Sequence, residues 1–304
     1  MNKPITEIGR TVEIKKISEA AWELVVYAPK IASICKAGQF VHIRCADQFQ
    51  PFLRRPFSIG PTPHFPRIQS EEVKNRASFL SLVQGSQEMS ISAQMPNEEE
   101  KKGCIRLIFT VRGVGTHLLT KKQVDDPVDI IGPLGNPFIF PDEDVMPILV
   151  AGGIGIVPLL RLDDELPDDQ ERRFLLGIRS KDMLTINESE VERREIIVAC
   201  DNGDLGFQGN VVELLAHQLD DELSGRSVIV YGCGPTMMVV ALKELCLGRD
   251  IPGYISMEVP MGCGIGACQS CIVPRADGEG YRLVCSDGPV FDMREIDLKP
   301  ETML

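Results

Sequence analysis

The strongest constraint on this chain is a change of rhythm near residue 141. Before it, short stretches of alternating or β-branched apolar residues are broken by Gly and Pro: "TVEIKKI", "WELVVYAP", "GQFVHIRC", "RPFSIG", then "CIRLIFTVRG" (104–113) and "PVDIIGP" (127–133). Strands of this kind, without helical periodicity, predict an antiparallel barrel. Residues 61–103 are polar and turn-rich and read as a long excursion holding one strand, "SFLSLV". Beyond the change, "MPILVAGG" reads as a buried strand and "IGIVPLLRL" as the helix after it. The strands "RRFLLGIRS" and "EIIVAC", the helix "NVVELLAHQL", the strand "SVIVYG" and the helix "PTMMVVALKELC" follow. Strand and helix alternating across short glycine turns imply a parallel sheet covered by helices. After Gly248 the apolar period disappears. The expected organisation is α/β plus β-barrel: a barrel over residues 1–140, a parallel α/β domain over 141–249 and a small module over 250–304.

Charge narrows the partners. Lys and Arg number 32 against 44 Asp and Glu, a formal charge of −12 that gives nucleic acid no electrostatic footprint. The N-terminus lacks the apolar core of a signal peptide, and no apolar run is long enough to cross a bilayer. A soluble, cytoplasmic protein is expected, binding neither nucleic acid nor membrane. In that compartment ten cysteines do not read as a disulfide framework. Six are scattered, whereas Cys263, Cys268, Cys271 and Cys285 are clustered as C-x4-C-x2-C-x13-C among glycines. That spacing matches the plant-type [2Fe–2S] ligand pattern. Gly262, Gly264, Gly266 and Ala267 leave room for backbone N–H groups to approach cluster sulfurs. A zinc site also uses four cysteines, though usually as two short pairs, so the iron–sulfur reading stands ahead of it.

Four further motifs suit cofactor binding. "VAGGIGIVPLL" (150–160) places Gly152, Gly153 and Gly155 between a strand and a helix, where backbone could approach a pyrophosphate. Pro158 stands where a dinucleotide fingerprint would have its third glycine, so a plain tight turn is the competing reading. Cys233, Gly234 and Pro235 hold an equivalent position at the next strand end, with Pro235 expected in the first helical turn. Met237 and Met238 read as ordinary core. In the barrel, Arg55, Pro56, Phe57 and Ser58 put a cation, a ring and a hydroxyl together. "VRGVGT" (111–116) ends in Thr116, read as a helix N-cap that also reaches a phosphate. The four histidines, His42, His64, His117 and His217, show no metal spacing and read as satisfied or exposed.

Taken in order, R-P-F-S, G-x-G-T, G-P-L-G-N-P-F, G-G-I-G-x-x-P and C-G-P-x-x-M resemble the ferredoxin–NADP reductase superfamily. With "MGCGIGACQSC" and "VCSDGPVF" added, essentially the whole chain resembles the electron-transfer subunits of NAD-dependent dihydroorotate dehydrogenases. The resemblance implies that Arg55, Pro56, Phe57 and Ser58 bind FAD, that Ile108, Phe109 and Thr110 line the flavin, and that Gly115 and Thr116 hold its pyrophosphate. It implies that Gly152, Gly153, Gly155, Cys233, Gly234 and Pro235 contact NAD and that the four clustered cysteines hold a [2Fe–2S] centre. It further implies an FMN-containing catalytic partner that oxidises dihydroorotate in pyrimidine biosynthesis, in a heterotetramer of two plus two. A sister subunit of a ferredoxin-linked transhydrogenase, sulfide dehydrogenase or hydrogenase is the nearest alternative. A non-enzymatic zinc-containing scaffold is the remoter one. Arg179 and Lys181, after the strand "RRFLLGI", could accept a 2′-phosphate or equally be ordinary solvated cations at a strand end, so NAD over NADP follows from the resemblance alone. The excursion over 61–103 is longer than the family pattern.

Overall fold

The computed structural model describes residues 3–46, 50–63 and 98–298; the expected strand "SFLSLV" lies outside them. The first sheet contains β1 (Ile5–Lys16), β2 (Trp22–Tyr27), β3 (Phe40–Ile43), β4 (Arg55–Ser58), β5 (Cys104–Phe109) and β6 (Pro127–Leu134). Its order is β4-β3-β6-β1-β2-β5, and every pairing is antiparallel. Just past β4 the Gly60 N–H donates to the Arg106 carbonyl of β5 at 2.8 Å, drawing the two edges together into a nearly closed barrel. The interior is filled by Leu24, Val26, Val41, Ile43, Phe57, Ile105, Leu107 and Ile130.

The second sheet is assembled from β7 (Met146–Gly152), β8 (Arg173–Ile178), β9 (Ile197–Cys200), β10 (Phe207–Gln208), β11 (Val228–Cys233), β12 (Gly253–Ser256) and β15 (Val290–Asp292). They run in the order β10-β9-β8-β7-β11-β12-β15, parallel except for the β12–β15 pair. Every residue of β7 is buried, as expected of a central strand covered on both faces. The long helices are Ile156–Glu165, Val211–Asp220 and Thr236–Gly248. Asn210 starts the second of these with a capping box, accepting from the Val212 and Glu213 N–H groups at 3.0 Å while Glu213 accepts from its own N–H at 3.1 Å. Pro235 caps the third rather than entering its first turn. Residues 257–289 leave the sheet at β12 and return at β15, carrying all four clustered cysteines and a small hairpin of β13 (Ile272–Pro274) and β14 (Tyr281–Leu283).

Two contacts lock the layers together. Arg106 of β5 is buried with Glu23 of β2, and its Nη2 reaches Glu190 of the helix Glu188–Arg193 at 3.3 Å. Glu190 also accepts from Arg193 and Arg194 at 3.3 Å. Burial acts to raise the Glu190 pKa, yet these cations more than offset it and hold the carboxyl below its ordinary 4.5. Asn136, just past β6, uses its whole amide on the C-terminal segment. Its Nδ2 donates to the Asp287 and Val290 carbonyls at 3.0 and 2.9 Å, and its Oδ1 accepts the Val290 N–H at 3.0 Å.

Removing one partner from a buried charge network strands the others. Glu190→Leu is expected to lower unfolding free energy by about 3 kcal/mol in denaturant titrations. Glu188→Ala, which breaks a solvent-exposed pair with Lys181, should leave the unfolding midpoint close to that of the parent. The Glu190 contribution is full above pH 4.5 and fades as pH falls through the lower folded value. The gap between Glu190→Leu and the parent should therefore narrow on acidification.

Candidate functional site

A cleft of about 330 Å³ opens where barrel, α/β layer and C-terminal segment meet. From the barrel it takes Pro56, Phe57 and Ser58 of β4, Ile108 and Phe109 at the end of β5, and then Thr110 and Thr116. The sequence had pointed to each of these. Phe57 and Phe109 meet edge to face at 5.6 Å, presenting an aromatic corner to the cleft. Arg55 and Gly115 lie beside it rather than in its lining. A Cβ on Gly115 would stand 3.4 Å from Arg55 Cγ, so the two barrel motifs touch each other. The Arg55 guanidinium donates back to the Leu53 carbonyl at 2.7 Å.

Thr116 is not the N-cap of its helix. Gly113 holds that position, and Thr116, at the third helical residue of Val114–Leu119, folds its hydroxyl back onto the Arg112 and Gly113 N–H groups at 2.9 and 3.2 Å. The cleft also takes residues that motif reading passed over: Phe40, Arg112 and the run Ser256–Met261. Arg112 lies inside the quoted "VRGVGT", and Ser256–Met261 leads directly into the cysteine loop, so position beside a motif was the available signal. Glu258 opens onto the cleft, but the protein packed around it raises its carboxyl pKa, with Arg112 acting in the opposite sense.

The two glycine turns of the α/β layer sit against one another. A Cβ on Gly155 would fall 2.4 Å from the Cys233 carbonyl oxygen, and one on Gly234 would fall 2.9 Å from the Gly152 nitrogen. On Gly152 it would meet Met238 Sδ at 2.6 Å and Pro235 at 2.7 Å. These glycines let the ends of β7 and β11 pack together. Gly153 differs: its φ is 51°, nothing lies within 4 Å of its Cβ position, and Thr185 holds its carbonyl at 3.1 Å. It is the open surface of the turn, and Ile154 beside it reaches the cleft. Met238 is packed as expected, whereas Met237 is 63% exposed and is not core. Lys181 pairs with Glu188 at 2.8 Å.

The four clustered cysteines fall into two pairs. The Cys263 N–H points at Cys268 Sγ at 3.4 Å and the Cys268 N–H at Cys263 Sγ at 3.3 Å. The Cys285 N–H points at Cys271 Sγ at 3.4 Å, and the Gly266 N–H at Cys285 Sγ at 3.1 Å. Among the described residues no three His, Cys, Asp or Glu side chains converge closely enough for a single ion. A [2Fe–2S] group distributes its thiolates two to each iron, and two pairs within a loop of inward N–H groups suit that donor set. Gly262 completes the cradle, since a Cβ there would meet Cys268 Sγ at 3.1 Å. Cys271 and Cys285 are buried and Cys268 is exposed. The Ser270 hydroxyl and neighbouring backbone lower the Cys268 thiol to about 6, and burial lifts Cys285 to about 12.

His42 departs from expectation. It is fully buried, and neither ring nitrogen has a hydrogen-bond partner. Burial, followed by Arg54 and Arg55, lowers its pKa to about 4, so the imidazole is neutral.

A nearly closed antiparallel barrel followed by a parallel α/β sheet, with the cleft between them, defines the ferredoxin–NADP reductase class. The solved structure of an NADH-dependent reduced ferredoxin-NADP oxidoreductase superposes with a TM-score of 0.72 at 25% identity, covering 96% of this chain and 90% of that one. A ferredoxin NADP+ reductase from Neisseria gonorrhoeae, with bound FAD and NADP, shares the fold at a TM-score of 0.56 and 15% identity, over 82% and 92% of the two chains. Residues 258–297 match the iron–sulfur cluster binding domain of dihydroorotate dehydrogenase B. The dihydroorotate dehydrogenase B (NAD(+)) electron transfer subunit of Geobacillus thermodenitrificans is 34% identical over 96% of this chain and 100% of its own length. That of Desulforamulus reducens is 32% identical over 87% of each chain. The chain belongs to the family of dihydroorotate dehydrogenase B (NAD(+)) electron transfer subunits.

The glycine contacts separate two kinds of substitution. Gly155→Ala drives a methyl into backbone and is expected to cost at least about 2 kcal/mol in thermal or denaturant unfolding. Gly153→Ala meets open space and should cost only about 1 kcal/mol, for its left-handed backbone.

Proposed function

We propose that this chain carries electrons between a dihydroorotate-oxidising partner and NAD, in the service of pyrimidine biosynthesis. The observation that carries the reading is the meeting, around one cleft, of a barrel aromatic corner, an open glycine turn and the segment bearing two cysteine pairs. NAD exchanges a hydride and an iron–sulfur centre a single electron, and a flavin supplies the chemistry that joins the two. FAD would be held by Arg55, Pro56, Phe57, Ser58, Ile108, Phe109, Thr110, Gly115 and Thr116. Phe57 and Phe109 supply apolar walls that exclude water, and Ser58 and Thr110 supply hydroxyls at the rim. NAD would lie over Gly153, with Gly152, Gly155, Cys233, Gly234 and Pro235 shaping the platform beneath it. Cys263 and Cys268 would hold one iron of a [2Fe–2S] centre and Cys271 and Cys285 the other.

The functional division follows: residues 1–140 for FAD, 141–249 for NAD and 250–304 for the cluster. The catalytic partner would carry FMN and assemble as two plus two. A cytoplasmic setting suits this partnership; among the described residues no helix is long and apolar enough to cross a membrane. The likeness to the NADH-dependent reduced ferredoxin-NADP oxidoreductase favours one rival, a sister subunit serving a different donor.

The deciding experiment isolates the native complex anaerobically, adds dihydroorotate and records the visible spectrum. Bleaching of flavin and cluster absorbance, reversed by NAD, is expected. Bleaching by NADH alone would hand the partner's place to the rival. Cys271→Ser is expected to abolish dihydroorotate-dependent NAD reduction while NADH-driven reduction of an artificial acceptor continues. Gly153→Ala, folded but roughened at the open turn, should weaken NADH binding about tenfold by titration, the equivalent of about 1.4 kcal/mol.

A further inference from the structure

His42 stands between the two cofactor regions with its polar atoms unspent. Its ring lies against the bare backbone of Gly264: a Cβ there would fall 2.8 Å from Cε1 and Nδ1 and 3.0 Å from Nε2. Such an approach requires glycine, and the φ of Gly264 is 73°. Gly264 directly follows Cys263, whose sulfur receives the Ile265 N–H at 3.5 Å. The imidazole also meets Phe40 edge-on at 5.9 Å, and Phe40 lines the cleft. Across the β3–β4 ladder His42 faces Pro56, another residue of the lining. A neutral imidazole carries one N–H donor and one acceptor. Burying both without partners is unfavourable, and buried polar groups are as a rule satisfied. Among the described residues no acceptor reaches the ring, and the loop beside it is the one read as receiving a sulfur-rich group.

We propose that His42 is a positioning residue for the iron–sulfur centre, donating its imidazole N–H to a sulfur of that centre and thereby raising its reduction potential. The proposal rests on the reading of the four cysteines as a [2Fe–2S] site. Reduction places added negative charge on the sulfur shell, and a donor aimed at sulfur stabilises that state more than the oxidised one. His42 thus links cluster potential to the wall of the flavin cleft.

The test uses the full chain with its cofactors, prepared anaerobically. The cluster potential is measured by EPR-monitored redox titration in the parent, His42→Phe and His42→Gln. Pulsed EPR of the reduced parent, with and without ¹⁵N-histidine, reports histidine nitrogen near the cluster. A histidine coupling is expected in the parent and should vanish in His42→Gln. His42→Phe should shift the cluster equilibrium about tenfold toward the oxidised form, ~59 mV more negative for a one-electron couple. His42→Gln, which keeps an N–H donor, should recover at least half of that shift. An unchanged potential in His42→Phe, or His42→Gln displaced as far as His42→Phe, would overturn the proposal. Where His42→Phe fails to take up the cluster, the parent's coupling decides, and its absence overturns the proposal. A parent without iron and acid-labile sulfide would show instead that the reading of the cysteines is wrong, and the proposal would fall with it.

Discussion

The cleft depends on a guanidinium that cannot be left alone. Arg106 is buried between Glu23 of its own barrel and Glu190 of the α/β layer, so the guanidinium finds both of its carboxylate partners only when the two layers meet. A buried ion network adds little to net stability compared with apolar packing, but it penalises every arrangement that separates its members. Domain orientation is therefore selected rather than merely favoured. Asn136 does similar work at the opposite junction, where its amide reproduces a pair of backbone hydrogen bonds to the strand β15. With both junctions fixed, the aromatic corner, the open glycine turn and the cysteine segment face one space.

Much of this was legible in the chain because glycine and proline punctuate it. The strand–helix alternation beyond residue 141 survives nearly intact in the sheet order, and the four cysteines announce themselves by spacing. What escaped was short or relational. Pro29–Ala32 and Val114–Leu119 span too few turns to display a helical period. Thr116 carries the residue type of an N-cap, but the helix starts three residues earlier at Gly113, and from the third helical position Thr116 bonds backward. β12 and β15 have four and three residues, and their membership in the sheet is decided by a partner far along the chain. His42 sits in a four-residue strand buried along its whole length, and nothing local reveals that its ring meets Gly264.

The glycines carry a related lesson about inferring function from motif. Gly152, Gly155 and Gly234 look like ligand-facing residues in the string, yet the atoms a Cβ would meet belong to the protein itself. Their smallness serves the packing of one strand end against another, which in turn presents Gly153 outward. A fingerprint can thus be functional as a whole while most of its letters are structural. In the cysteine loop the division runs differently. There Gly262 makes room for a thiol and Gly264 makes room for an imidazole.

The pairing of β12 with β15 has a topological consequence. Tyr254, Ile255 and Ser256 pair antiparallel with Asp292, Phe291 and Val290, so residues 257–289 form, in effect, the loop of a hairpin. Its two ends are held one strand spacing apart, roughly 4.8 Å, by the sheet and not by the metal ligands. The entropy of bringing such ends together is met once, when the sheet forms. The cluster segment is therefore pinned at both ends by the sheet, while Met257, Cys271, Val273, Val284 and Cys285 within it pack into the same core as Phe40 and Leu134 of the barrel and Ile148 and Val230 of the parallel sheet. The cysteine loop is thus seated in the molecule's own core, and exchanging its contents would disturb the packing beneath the cleft.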